Sequence, residues 1–144
     1  LADRVQFHGL RPMPQVMPHI AAADLLVLPS RKDGWGAVVN EALGCGVPVV
    51  CSDRCGAADL LRAPERGTVV TGASVAALRR ALAARLRQGP VTAAARARLR
   101  AWAQCIAGPA MAQYLRGVLS HVYDGAARPT APWHAASPAP LPVE

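Results

Sequence analysis

Residues 25–51 read LLVLPSRKDGWGAVVNEALGCGVPVVC, and this stretch decides the fold. Leu25, Leu26, Val27 and Leu28 form a continuous apolar run of strand length, ended by Pro29-Ser30, the pattern of a strand buried on both faces. Residues 36–45 then show helical character and stop at Cys45-Gly46, with Gly46 in the place of a C-terminal cap. Residues 47–51 give the next buried strand. Working outward, residues 57–62 read as a short helix and residues 68–71 as a further strand. Upstream, residues 4–8 alternate and close at Gly9, which predicts another strand. A turn rich in proline (Pro12, Pro14) leads from there into a short helix carrying Val16, Ile20 and Ala23. Short apolar strands alternating with helices define an α/β chain with a parallel sheet.

From Ser74 the texture becomes helical. Ser74 caps a helix with Leu78, Leu82 and Leu86 at four-residue spacing, an apolar stripe suited to packing on the sheet. Gly89-Pro90 breaks it, a second helix runs to about Ile106, and Gly108-Pro109 breaks that. A third helix, from about Ala110 to Tyr123, carries Met111, Tyr114, Leu115, Val118 and Val122 on one side. Beyond Asp124 the chain is rich in alanine and proline, which predicts an extended or disordered tail over 125–144 and a folded unit over 1–124. No internal repeat is visible.

With 144 residues, 52% hydrophobic and 17% charged, the chain has the size and composition of one globular domain. Its apolar runs are far shorter than the ~18 residues a membrane span needs. Asp3 and Arg4 stand where the apolar core of a secretory signal would begin. The formal charge of +7 is carried by 16 basic residues, of which only Lys32 is a lysine. Arginine forks suit phosphate and carboxylate, so the field favours anionic ligands. Seven arginines fall within 79–100, either as a solvated helix face or as a patch for acidic lipid head groups. Only Trp102 lies near them; without interleaved aromatics, a nucleic-acid partner is not expected. Cys45, Cys51, Cys55 and Cys105 lack the spacing of a zinc knuckle, and His8, His19, His121 and His134 are scattered singly. Small buried thiols in a reducing cytosol are the expectation, with no metal site.

The chemistry concentrates in residues 29–46, which leave the carboxyl end of a buried strand, where open α/β sheets place their ligands. Asp33 lies on the loop and Glu41 about one turn into the helix, with seven residues between them. Gly34 and Gly36 let a backbone approach a ligand closely. The helix starting near Ala37 offers unpaired amides and the positive end of its dipole. Loop amides and a carboxylate one turn in can hold a diphosphate and a neighbouring sugar hydroxyl. The alternative is an ordinary strand–turn–helix connection with a capping acid.

The run PSRKDGWGAVVNEALGCGVPVVCSD, residues 29–53, resembles the donor-binding signature of retaining GT-B glycosyltransferases of family four, which includes many bacterial sugar transferases. A Pro-Ser after a strand, an acid, a Gly-aromatic-Gly turn, a Glu-Ala helix and a GxPVV strand occur in that order. Cys55-Gly56-Ala57-Ala58-Asp59-Leu60-Leu61 and Gly67-Thr68-Val69-Val70 extend the likeness, which covers roughly residues 5–86. The resemblance implies a Rossmann-like parallel sheet with flanking helices, the C-terminal half of a GT-B enzyme. It implies that Glu41 binds the ribose hydroxyls of a nucleotide-sugar. Asp33 takes the place of the acid, usually glutamate, that lies beside the reacting carbon. Backbone amides of Gly36, Ala37 and Val38 would hold the diphosphate and sugar hydroxyls. Gly34 and Ser30 belong to the same loop, and the turn at Gly9, Leu10 and Arg11 would border the base. Trp35 holds the aromatic position, as a packed anchor or a sugar contact.

The same resemblance implies hexosyl transfer with retention, without a metal, on a nucleotide-sugar co-substrate. It also places an acceptor domain, a first donor-domain strand and diphosphate-neutralising cations before residue 1. The chain then corresponds to part of an enzyme, inactive alone and completed in cis or in trans. The alternative is a non-catalytic module that recognises nucleotide-sugars, or an inactive remnant. The expected location is the cytoplasm, with residues 79–100 able to meet the inner face of the membrane.

Overall fold

The computed structural model describes residues 2–72 and 74–134. Three parallel strands, β1 (Leu26–Leu28), β2 (Val49–Ser52) and β3 (Gly67–Val70), lie in the order β1-β2-β3. Leu26 pairs with Val49, and Val49 with Gly67, so the three strands begin level, and β1 ends one residue short of β2 and β3. Helix α1 (Met13–Ala22) precedes β1, and α2 (Ala37–Gly44) joins β1 to β2. A 3₁₀ helix over Gly56–Leu61, where a short helix was expected, leads to β3. Helices α3 (Val75–Leu86), α4 (Ala93–Ala103) and α5 (Gly108–Asp124) follow. The expected α/β class and parallel sheet are the ones observed.

The core forms where α2 lies over the sheet: Val39, Ala42 and Leu43 meet Val49, Cys51, Leu60 and Leu61 on one side and Leu99, Trp102 and Ile106 on the other. β2 is the central strand and every one of its residues is buried. Gly46 follows α2 with φ of +75°, and a Cβ there would lie 2.5 Å from the Arg96 carbonyl oxygen. Glycine thus caps α2 and lets α4 cross close to it. Helices α3 and α4 begin at the expected kind of cap, with Ser74 and Thr92 hydroxyls accepting from the Ala77 and Ala95 amides.

Several expectations are corrected. Residues 4–8 form no strand: Phe7 is 95% exposed and Val5 51%, so the alternating pattern finds no apolar surface to cover. β1 is not buried on both faces: Val27, on one face, is 38% exposed, and among the described residues the strand is at the edge of the sheet. The stripe on α3 stops short; Leu78 and Leu82 are half-buried but Leu86, the last residue of the helix, is 75% exposed. Gly108-Pro109 opens α5 rather than preceding it, since proline at a first helical turn loses no hydrogen bond. Of the seven arginines in 79–100, two are structural. Arg85 donates to Thr68 Oγ1 and the Pro64 carbonyl, and Arg96 to the Ala23 carbonyl and Asp24.

The largest correction concerns the tail. Residues 129–134 form a strap across the body, and the expected disorder of 135–144 falls outside the described residues. Trp133 donates from Nε1 to Asp59 Oδ2 at 2.7 Å, its carbonyl accepts from Arg66 Nη1 at 3.0 Å, and its ring meets Tyr114 edge-on. His134 Nε2 lies 2.8 Å from the same Asp59 oxygen. Burial pushes the Asp59 carboxyl up, but bonds from Trp133, His134 and Arg62 outweigh it and hold it down at about 2 against 3.8. Its contribution is complete above pH 3.8 and is lost as pH falls through about 2. Thermal melts between pH 2 and 5 should show this acid limb, and Asp59→Asn should flatten it.

Candidate functional site

Parallel strands deliver their following loops to one edge, and here two loops are laced together there. The loop after β1 carries Ser30, Asp33, Gly34, Trp35 and Gly36; the turn after β2 carries Asp53, Arg54 and Cys55. The Ser52 hydroxyl donates to the Ser30 carbonyl at 2.5 Å, and the Asp33 amide to the Arg54 carbonyl at 3.0 Å. The Trp35 carbonyl accepts from the Cys55 thiol and from the Ala57 amide, both within 2.8 Å. The end of β3 joins through Asp53, whose carboxylate accepts from the Gly72 amide at 3.3 Å. The rim is therefore fixed by hydrogen bonds from all three strand ends.

Within this rim Asp33 is half-buried, and its Oδ1 accepts from the Trp35 amide at 3.2 Å, which tightens the loop. The Trp35 indole donates to Asn40 Oδ1 at 2.8 Å while its ring stays partly exposed. The indole bond holds the ring in place and leaves a face open to solvent, which is compatible with either expected role. Gly36 has φ of +88°, and a Cβ there would sit 2.4 Å from Cys55 Sγ. That turn aims the start of α2 outward, and among the described residues the amides of Ala37 and Val38 have no acceptor. Glu41, one turn on, is half-buried, and its carboxylate has no donor or cation partner among the described residues. Asp33, Gly34, Trp35, Gly36, Ala37, Val38 and Glu41 are thus gathered at the carboxyl end of β1, with Ser30 beneath them. Gly9, Leu10 and Arg11 are not tied to them: they are exposed, and Arg11 donates to the His8 carbonyl at 2.8 Å.

Sequence reading missed the part played by Ser52 and Cys55, which lie one strand away and hold the loop from below. The cysteines are free thiols, three of them buried; burial, then the adjacent Cys55, pushes Cys51 up to about 12, so Cys51 is an unreactive packing group. Among the described residues no cluster of three or more His, Cys, Asp or Glu could hold a metal ion. The cost of disturbing the turn can be stated. Gly36→Ala combines a left-handed backbone, about 1–2 kcal/mol, with a forced contact on Cys55, about 1–3 kcal/mol. Urea melts should show a loss within the summed range, and adding Cys55→Ala should recover the contact part and leave the backbone part.

A parallel α/β sheet with flanking helices, its first strand followed by a loop and a helix, defines a Rossmann-like domain, and open sheets of this class place ligands at such strand ends. The family described as Glycosyl transferases group 1 matches residues 1–103, and the chain belongs to that family. Among curated relatives, the putative teichuronic acid biosynthesis glycosyltransferase TuaC of Bacillus subtilis is 48% identical over 52 residues, 36% of this chain and 13% of that protein. A D-inositol 3-phosphate glycosyltransferase of Thermomonospora curvata is 35% identical over 72 residues, 50% of this chain and 17% of that protein. The GDP-mannose-dependent alpha-(1-6)-phosphatidylinositol monomannoside mannosyltransferase of Mycolicibacterium smegmatis is 35% identical over 85 residues, 54% of this chain and 22% of that protein. The chain therefore spans less than a quarter of the length of these relatives. The expected GT-B relationship and Rossmann-like architecture stand.

Proposed function

We propose that this chain is the donor-binding part of a retaining hexosyltransferase that uses a nucleotide-sugar. The observation that carries the reading is the juxtaposition of the Ala37 and Val38 amides with the Glu41 carboxylate one helical turn away, none of which has a partner among the described residues. The amides and the helix dipole hold the diphosphate and stabilise the charge that develops as it leaves. Glu41 accepts hydrogen bonds from the ribose hydroxyls. Asp33 lies beside the donor sugar; as aspartate it is one methylene shorter than the family's usual glutamate, so the sugar must sit closer to the loop. Gly9, Leu10 and Arg11 border the base, and the open face of Trp35 borders the sugar. No metal takes part, and an acceptor domain supplied in cis or in trans completes the reaction.

Calorimetric titration of the chain with UDP, GDP and ADP and their sugar conjugates, with and without EDTA, tests this. One nucleotide should bind, unaffected by EDTA. A folded chain that binds none of them would overturn the donor-site reading.

A second contact rests on a separate observation. Arg79, Arg80, Arg87, Arg98 and Arg100 are exposed, outside the internal bonds that occupy Arg85 and Arg96. They suit the inner, anionic face of a membrane, each worth about 1 kcal/mol near the surface. Co-sedimentation with phosphatidylserine vesicles should fall steeply between low and physiological salt, and fall again when Arg79, Arg80 and Arg87 are replaced by alanine.

A further inference from the structure

The opposite edge of the sheet holds a feature that donor binding does not use. A cavity of about 1650 Å³ opens beside Leu25, Pro48 and Arg66, the residues just before the three strands. Helices α3, α4 and α5 and the 129–132 strap wall it, with Leu86, Leu99, Trp102 and Tyr114 supplying apolar surface. Its volume exceeds the ~300–1,000 Å³ of ordinary small-molecule sites.

Arg66 marks its floor. The residue is only 5% exposed, yet no carboxylate pairs with it among the described residues. Nη1 donates to the Trp133 carbonyl, and the guanidinium carbon stands 4.0 Å from the centre of the Trp102 ring. Nε is buried without an acceptor, as is the adjacent indole N–H of Trp102, and Nη2 has no acceptor among the described residues. Nε and the Trp102 indole N–H are sealed from the cavity, whereas Nη2 is not among the enclosed atoms; a buried cation is costly, and an anion that meets it at Nη2 offsets part of that cost. Arg85 and Arg98 also line the cavity, against the carboxylates of Asp24 and Glu65; Arg85 and Asp24 are engaged in bonds of their own, Glu65 acts on Arg66 through its charge, and Arg98 is exposed. Charge at the floor and rim, with apolar walls between, fits one kind of guest.

We propose that this cavity binds an anionic amphiphile, an aliphatic chain ended by one phosphate or carboxylate, with the head on Arg66 and the chain along Leu86, Leu99 and Tyr114. The site is independent of the nucleotide-sugar reading, and neither depends on the other.

The test is calorimetry on the full chain with dodecyl phosphate and dodecanoate below their micelle concentrations, against dodecanol and inorganic phosphate. Saturable one-to-one binding of either charged amphiphile, at least tenfold tighter than both controls, is expected, and the two head groups separate phosphate from carboxylate preference. Arg66→Met should weaken it at least tenfold. Should that variant not fold, Ala95→Trp, which fills the cavity from α4 and leaves Arg66 in place, should abolish binding while circular dichroism and the melt stay native. Dodecanol binding as tightly as dodecyl phosphate, no saturable binding to the folded chain, or native affinity in a folded Arg66→Met or Ala95→Trp would overturn the proposal.

Discussion

Replacing Glu41 with alanine is expected to weaken binding of the preferred nucleotide by about 1.5–3 kcal/mol, roughly 10- to 150-fold in Kd. The size follows from the partner's charge. A hydrogen bond to an ionised carboxylate contributes about 1.5–3 kcal/mol, more than a neutral pair, and the Glu41 carboxylate has no other partner among the described residues. Nothing internal is broken by the change, so stability should hold while affinity falls. Glu41→Gln keeps an acceptor and should lose less. Calorimetry with the two variants beside the native chain decides it: an unchanged Kd for Glu41→Ala removes Glu41 from the site.

Gly67→Ala should be the most damaging single methyl in the sheet. A Cβ at Gly67 would stand 2.0 Å from the Val49 carbonyl oxygen and 3.1 Å from Leu61 Cδ1. The first of these is backbone in a fully buried strand, which cannot turn aside as a side chain would. β2 and β3 must separate, and the bond from the Val49 amide to the Arg66 carbonyl, 2.9 Å, lengthens with them. Overpacking costs about 1–3 kcal/mol where neighbours can yield; here the expected loss is at the top of that range or beyond. In a domain of this size that is a fall in Tm of about 10 °C or more. A melt within 2 °C of the native chain would show that the strands have slack.

The central part of the fold was legible because its signals were local and mutually consistent. The apolar runs of β1, β2 and β3, the turn at Gly36 and the cap at Gly46 each follow from short-range rules, and the structure keeps them in that order. The strand expected at residues 4–8 failed for a physical reason: alternation states which side a strand would bury, not whether a surface is present to bury it. Leu86 failed likewise, since periodicity names a face but not where the sheet beneath it ends. The tail was misread because composition is an average. Trp133 and His134 sit among alanines and prolines, yet their two hydrogen-bonding tips outweighed the rest once Asp59 was there to meet them and Arg66 to donate to the Trp133 carbonyl. The candidate site divides the same way. Asp33 and Glu41 could be found from their spacing, whereas the support from Ser52 and Cys55 arises only when parallel pairing brings two loops to one edge.

The strap also sets an order of events. Asp59 and His134 are 75 residues apart in sequence, and Arg66 and Trp133 are 67 apart. Closing loops of that length costs chain entropy that no neighbouring contact repays beforehand. The β1-α2-β2 unit, by contrast, is assembled from residues close together along the chain. The bonds from Arg96 to Ala21, Ala23 and Asp24 close loops of 72 to 75 residues as well, so the strap and the seat of α4 are both late pieces, and Trp133 fluorescence during refolding is expected to report the strap's share of that final step.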